Sequence, residues 1–301
     1  MGRKESRTGN LRNTLLALVL LSPALLLFLL FVVIPVVQAG YYSAFEWNGM
    51  GPATQFHGAK NFVRMFGDRI FRTALLNTLE VVAVSLVVQL PLAFFFALLV
   101  GRRKTPGEFT FRSIYFFPYV LAEIVTGIIW KFIYHPRFGL PTVLARLVTG
   151  SQMEIGLLGD PNLAFSAILV VVVWKYIGFH MILYIAGLQG VPKELEDAAV
   201  VDGATNSQVI WNVIIPSIRN TIIISAFLAV IGSFNIFDVV WALGQGGPVH
   251  STETLVTYLY NFGFRRFAFG YGSAVAVVIF ALCFVFNLFY QRYIVGGQRN
   301  A

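Results

Sequence analysis

The sequence predicts an all-α integral membrane protein with six transmembrane helices and both termini in the cytoplasm. Three observations predict it. Over 301 residues the chain is 57% hydrophobic and only 12% charged, against about 25% charged in a soluble domain. Its mean hydropathy is +0.74. Six apolar runs, near 14–37, 74–100, 113–134, 163–187, 217–242 and 271–291, are each long enough to cross a hydrocarbon core of about 30 Å as a helix. In lipid only helices and closed barrels satisfy their own backbone, and these runs are too long and continuous for barrel strands.

Arg3, Lys4, Arg7 and Arg12 precede the first run. Val37-Gln38-Ala39 loosely resembles a signal-peptidase site, but the apolar stretch from Leu15 to Val37 exceeds the usual core of about 7–15 residues. An uncleaved anchor is the better reading. The layout is then a cytoplasmic tail (1–13), a first transmembrane helix (14–37), an extracytoplasmic segment (38–73), a five-helix core (74–291) and a cytoplasmic tail (292–301). Within 38–73, Asn61 to Phe66 has apolar and basic residues at helical spacing. Two readings fit: an amphipathic helix on the membrane surface, or a solvated entry to the second span. The short loop 101–112 carries Arg102, Arg103, Lys104 and Arg112, and positive charge marks the cytoplasmic side. The net charge of +8 is therefore read as orientation, not as a nucleic-acid surface. Cys283 is the sole cysteine, so neither an intrachain disulfide nor a cysteine metal site is expected.

Ionisable groups inside spans are costly and are functional candidates by default. They are Glu80, Glu123, Lys131, Lys175 and Asp238, with His180 nearer the inner face. Lys131 is near the outer end of its span and snorkels to water. Glu123 and Lys175 lie roughly 15 and 18 Å in from opposite faces, both near mid-depth. Either they pair inside the bundle, or each faces a water-filled path.

The inner loop 188–216 is more acidic than basic and does little for orientation. Pro192 suits a first helical turn, Glu194, Glu196 and Asp197 favour a helix N-terminus, and Asp202-Gly203 signals a turn. A second short helix over 205–215 has Val209, Ile210, Val213 and Ile214 on one face, and Pro216 precedes the fifth span.

Here the sequence resembles the permease subunits of bacterial binding-protein-dependent ABC importers. Asp197-Ala198-Ala199, then Gly203, then Val213-Ile214-Ile215-Pro216 keep that family's spacing, with Asp197 where the family usually has Glu. The resemblance covers roughly 56–292 and looks like the carbohydrate branch. It is carried further by Lys60-Asn61-Phe62, Asn77-Thr78-Leu79, Phe117-Pro118-Tyr119, Gly127-Ile128-Ile129-Trp130, Gly246-Gly247-Pro248 and Thr252-Glu253-Thr254-Leu255.

The resemblance implies a bacterial cytoplasmic-membrane permease paired with a second, different permease. It also implies two cytoplasmic ATPase subunits and an extracytoplasmic solute-binding protein. Glu196, Asp197, Ala198, Ala199, Asp202, Gly203 and Pro216 would couple to the ATPase. By likeness to maltose-type permeases, Tyr119, Glu123, Trp174, Gly178, Met181, Phe234, Asn235 and Asp238 would bind solute. On one continuous helix, Asn235 and Asp238 would share a face, as would Phe234 and Asp238. The chain has no Gly-x-x-x-x-Gly-Lys-Ser/Thr loop. No cofactor, metal or enzymatic activity of its own is expected, with ATP and Mg²⁺ on the partner ATPase. A sugar is the expected solute and glycerol-3-phosphate the alternative. An ion-coupled secondary transporter using Glu123, Lys175 and Asp238 is the competing class.

Overall fold

The computed structural model describes residues 5–101, 107–150 and 154–295. Arg3, Lys4, Arg102, Arg103, Lys104 and Arg299, which carry much of the orientation signal, lie outside the described residues.

The chain divides into two units. In the first (Met1–Met65 and Phe262–Phe280), α1 runs over residues 5–42 and leads into a two-stranded antiparallel hairpin, β1 (Phe45–Glu46) and β2 (Gln55–Phe56). A helix, α2 (Lys60–Gly67), does form in the 38–73 segment. Its Asn61 is buried and donates to the carbonyls of Ser43 and Phe45, both at 2.9 Å. Met65 is fully buried beside it. One side of α2 therefore packs on protein, and its opposite side is exposed.

The second unit (Phe66–Asn261 and Ala281–Ala301) holds the rest of the helices. They are α3 (Arg69–Gly101), α4 (Glu108–Val120), α5 (Glu123–Ile133), α6 (Leu140–Thr149), α7 (Ala164–Gln189), α8 (Lys193–Val201), α9 (Asn206–Ser217), α10 (Arg219–Phe234) and α11 (Asp238–Leu243). A short helix over 255–264, α12, and the final helix over 269–295, α13, complete the chain. Leu18–Tyr42, Arg69–Gly101, Ala164–Gln189 and Phe269–Arg292 are long and apolar enough to cross a membrane, and two bent pairs bring the total to six.

Two spans differ from the straight helices expected. The third breaks at Leu121–Ala122, where both residues are extended, and α4 meets α5 at 100°. The fifth, expected over 217–242, ends at Phe234, and α11 starts afresh at Asp238. Proline explains a subtler irregularity. A helical proline lacks an N–H and its ring clashes with the carbonyl four residues back. Leu29–Val33, Ser85–Gln89 and Ile210–Ile214 each widen into a π-turn just before Pro35, Pro91 and Pro216. In each, the residue before the proline bonds five residues back, from Ile34 to Leu29, Leu90 to Ser85 and Ile215 to Ile210. The wider turn makes room for the ring without breaking the helix.

The core of the second unit forms around α7. Val171 and Ile168 pack with Val81, Val239 and Val240 at one end. Met181 and Tyr184 pack with Ala93 and Ala97 of α3 at the other, where small side chains one turn apart let the helices approach. The Asn77-Thr78 and Thr252-Glu253-Thr254 segments meet in space. The Asn77 amide donates to the carbonyls of Ser251 and Glu253, both at 2.8 Å, and Leu255 N–H donates to the Thr78 hydroxyl at 3.0 Å. The fully buried Glu253 carboxylate accepts from Thr257 (2.7 Å) and Asn261 (2.8 Å) and lies 3.0 Å from His250 Nδ1. A buried carboxylate is tolerated only with such partners.

Candidate functional site

The break in the third span and the buried lysine are one structure. Lys175, on α7, has no exposed surface. Its ammonium donates to the Leu121 carbonyl at 2.7 Å, the Pro118 carbonyl at 3.3 Å and the Thr126 hydroxyl at 3.5 Å. The carbonyls at the end of α4 have no helical successor to bond, and the ammonium's three N–H groups fill that role. Glu123, the first residue of α5, supplies the counter-charge at 3.3 Å. Its other oxygen accepts from the Tyr176 hydroxyl at 3.1 Å. The pairing open at the level of sequence is thus present, and Glu123 compensates charge while the carbonyls take the hydrogen bonds.

Beside this cluster lies a cavity of about 260 Å³. Tyr119, Tyr176 and Phe179 form its aromatic side, with Tyr119 stacked on Phe179 at 4.9 Å. Ser85, Gln89, His180 and Ser233 supply polar groups. Ser85 and Ser233 hydroxyls are 3.3 Å apart, and His180 Nδ1 is 2.8 Å from Ser225. Gln89 is almost wholly buried, yet among the described residues its Oε1 has no hydrogen-bond partner. Such an atom is costly unless something meets it.

Of the eight expected solute residues, Tyr119 is the one that lines this cavity. Glu123 sits behind it, bound to Lys175 and Tyr176. Trp174 packs edge-on against Trp130 instead, at 5.4 Å. Gly178 is a packing contact, since a Cβ there would collide with the Tyr115 carbonyl of α4. Met181 is fully buried between α3 and α7, and Phe234 is also buried. Asn235 caps the end of α10 and donates back to the Ile231 carbonyl at 2.9 Å. Asp238 is exposed at the start of α11. The helix break at 235–237 removes the shared face expected for Asn235, Phe234 and Asp238. Of the cavity's polar groups Ser85, Gln89, His180 and Ser233, the first two come instead from α3. Their spacing of four residues within an apolar run was the available signal.

The 188–216 loop has the expected form. Pro192 immediately precedes α8. Gly203 has φ +84, and the N–H groups of Gly203 and Ala204 return to the carbonyls of Val200 (3.0 Å) and Ala199 (2.9 Å). This is a Schellman ending, which favours glycine for its left-handed backbone. Thr205 and Gln208 form a capping box that starts α9. Ala199 and Ala204 turn inward onto the cluster of Val209 and Ile214. Glu196 is half-buried, whereas Asp197, Ala198, Asp202, Gly203 and Pro216 are exposed. Leu195, Val200 and Val201 are exposed too, Val201 by 86%. Leu195, Ala198 and Val201, spaced three apart, share one exposed side of α8 as an apolar patch.

Comparison with known proteins places this architecture. Residues 89–294 match the family described as the binding-protein-dependent transport system inner membrane component. The chain is 34% identical to the diacetylchitobiose uptake system permease protein NgcF of Streptomyces coelicolor, over 98% of this chain and 87% of that one. It is 31% identical to the probable ABC transporter permease protein YurN of Bacillus subtilis, over 96% and 99%. It is also 31% identical to the sn-glycerol-3-phosphate transport system permease protein UgpA of Brucella abortus, over 94% and 95%. In fold it is similar to a chain in the crystal structure of a bacterial ABC transporter that imports the acidic polysaccharide alginate, with a TM-score of 0.81 at 22% identity, covering 96% and 99%. The chain belongs to the family of inner-membrane components of binding-protein-dependent transport systems, and is a multi-pass ABC importer permease subunit rather than an enzyme.

Proposed function

We propose that this permease moves a neutral sugar or related polyol through the cavity between α3, α7 and α10, driven by ATP hydrolysed on partner subunits. The observation that carries the proposal is the unpartnered Gln89 oxygen in a cavity with aromatic faces. A sugar hydroxyl donates to such an oxygen, and its apolar ring face packs on Tyr119. Relatives named for diacetylchitobiose and glycerol-3-phosphate uptake support this solute range. A phosphate favours Arg or Lys at its site, and neither lines the cavity. That favours the neutral solute. The cavity is slightly below the usual range of about 300–1,000 Å³ for ligand pockets, so a solute longer than one sugar unit requires it to open.

In this reading the exposed patch on α8 docks on a cytoplasmic ATPase. A second permease completes the membrane pair, and an extracytoplasmic binding protein delivers solute. ATP and Mg²⁺ stay on the ATPase, and both termini of this chain face the cytoplasm. The test of the solute path is Gln89→Leu combined with Tyr119→Ala in the complete transporter. Each lost contact is worth about 1 kcal/mol, so uptake of the solute carried by the binding protein is expected to fall at least about tenfold. ATPase stimulation by the loaded binding protein should persist. Unchanged uptake kinetics would remove the cavity from the path.

A further inference from the structure

The first unit contains a larger cavity, of about 640 Å³, which the transport reading leaves unused. Trp47, Met50, His57, Lys60, Arg64 and Tyr271 are among its walls. Lys60 and Arg64 stand one turn apart on the exposed side of α2. The single acid in the lining, Glu46, is taken by His57, whose Nδ1 lies 3.3 Å from its carboxylate. Among the described residues, neither Lys60 nor Arg64 has an acidic partner. The Arg64 guanidinium rests over the Tyr271 ring, 4.9 Å from its centroid, which holds it at the cavity wall. The cavity lining therefore sets two cationic side chains against a single carboxylate.

Its surroundings are those of a membrane boundary. This unit holds the Tyr42 end of the first span and the Phe269 start of the last. Gly270 N–H donates to the Trp47 carbonyl at 2.9 Å, which ties the cavity wall to the start of that last span. Met50 and Phe267, both lining the cavity, are 71% and 59% exposed. Val63, next to Arg64 on α2, and Phe56, beside His57 on β2, are also exposed. A face with cations and unpaired apolar side chains intermixed suits the level of lipid headgroups, where basic residues meet phosphate and apolar ones meet acyl chains.

We propose that this cavity binds the phosphate headgroup of an anionic phospholipid. Arg64 and Lys60 take the phosphate oxygens, and the acyl chains leave over Met50, Phe267 and Val63. Arginine suits phosphate geometrically, and lysine adds a second point charge.

The test uses the complete transporter, purified in detergent and stripped of lipid. Dioctanoyl-phosphatidylglycerol, dioctanoyl-phosphatidylcholine and inorganic phosphate are titrated separately, with binding read by native mass spectrometry. The anionic lipid is expected to bind at least about tenfold tighter than the zwitterionic one, as two basic contacts imply. Lys60→Gln with Arg64→Gln should abolish that preference, and the charge-preserving pair Lys60→Arg with Arg64→Lys should retain it. Equal binding of both lipids, or a preference that survives the glutamine pair, overturns the proposal. Inorganic phosphate binding as tightly as the lipid assigns the site to a soluble anion instead. If the glutamine pair weakens only the solute-binding protein, the cavity belongs to that partner.

Discussion

Arginine at both Ala198 and Val201 is expected to abolish solute uptake and release the ATPase subunits, with no change in the amount of permease in the membrane. The two positions lie three apart on α8 and share its exposed side. Val201 is 86% exposed, so its apolar side chain contributes nothing to the fold it would lose. Exposed substitutions of this kind alter stability by about 0.5 kcal/mol or less. At a docking surface a central contact is worth about 2 kcal/mol or more, and two charges placed in it act against partner approach as well. Co-purification of the ATPase and uptake assays check the outcome. Ala199 is a poorer probe, because it faces the Val209 and Ile214 cluster and an arginine there would disturb the loop itself.

Lys175→Met should have the largest effect on the assembled protein. The substitution fills similar space but leaves the Leu121 and Pro118 carbonyls without their donor and Glu123 without its counter-charge. Breaking a buried pair costs about 3–5 kcal/mol, and the lower end applies because the Glu123 side chain is 30% exposed. A marked drop in melting temperature and in the yield of folded protein is expected. Adding Glu123→Gln removes the stranded charge but not the stranded carbonyls, so the double variant should recover only part of the loss. Wild-type melting of Lys175→Met would show that the break between α4 and α5 is held by other contacts.

Much of this was legible in the sequence because hydropathy, helix signals and depth are local properties. Counting residues from opposite faces put Lys175 and Glu123 at similar depth and left their pairing open, which the fold then supplies. The α8–α9 loop followed from Pro192, Asp202-Gly203 and the apolar positions of 205–215. The break at Leu121–Ala122 was hidden because both residues continue the apolar run, and its stabiliser sits some fifty residues away on α7. The same holds for 235–237, where an apolar run conceals an unwound stretch. Gln89 was passed over because a single amide barely alters the hydropathy of α3. The likeness to sugar permeases pointed to Met181 and Phe234, but burial against neighbouring helices takes both away from the cavity. Glu253 depends on Thr257, Asn261 and His250, and only the folded chain reveals that they converge.

Transport by this permease is expected to be powered by ATP rather than by an ion gradient. It is tested most directly in proteoliposomes containing the complete transporter, with the binding protein and its bound solute supplied outside. Accumulation should require ATP inside the vesicles and persist when proton and sodium gradients are collapsed. Accumulation driven by an imposed proton or sodium gradient in the absence of ATP would contradict the account and recast Glu123, Lys175 and Asp238 as ion-carrying groups.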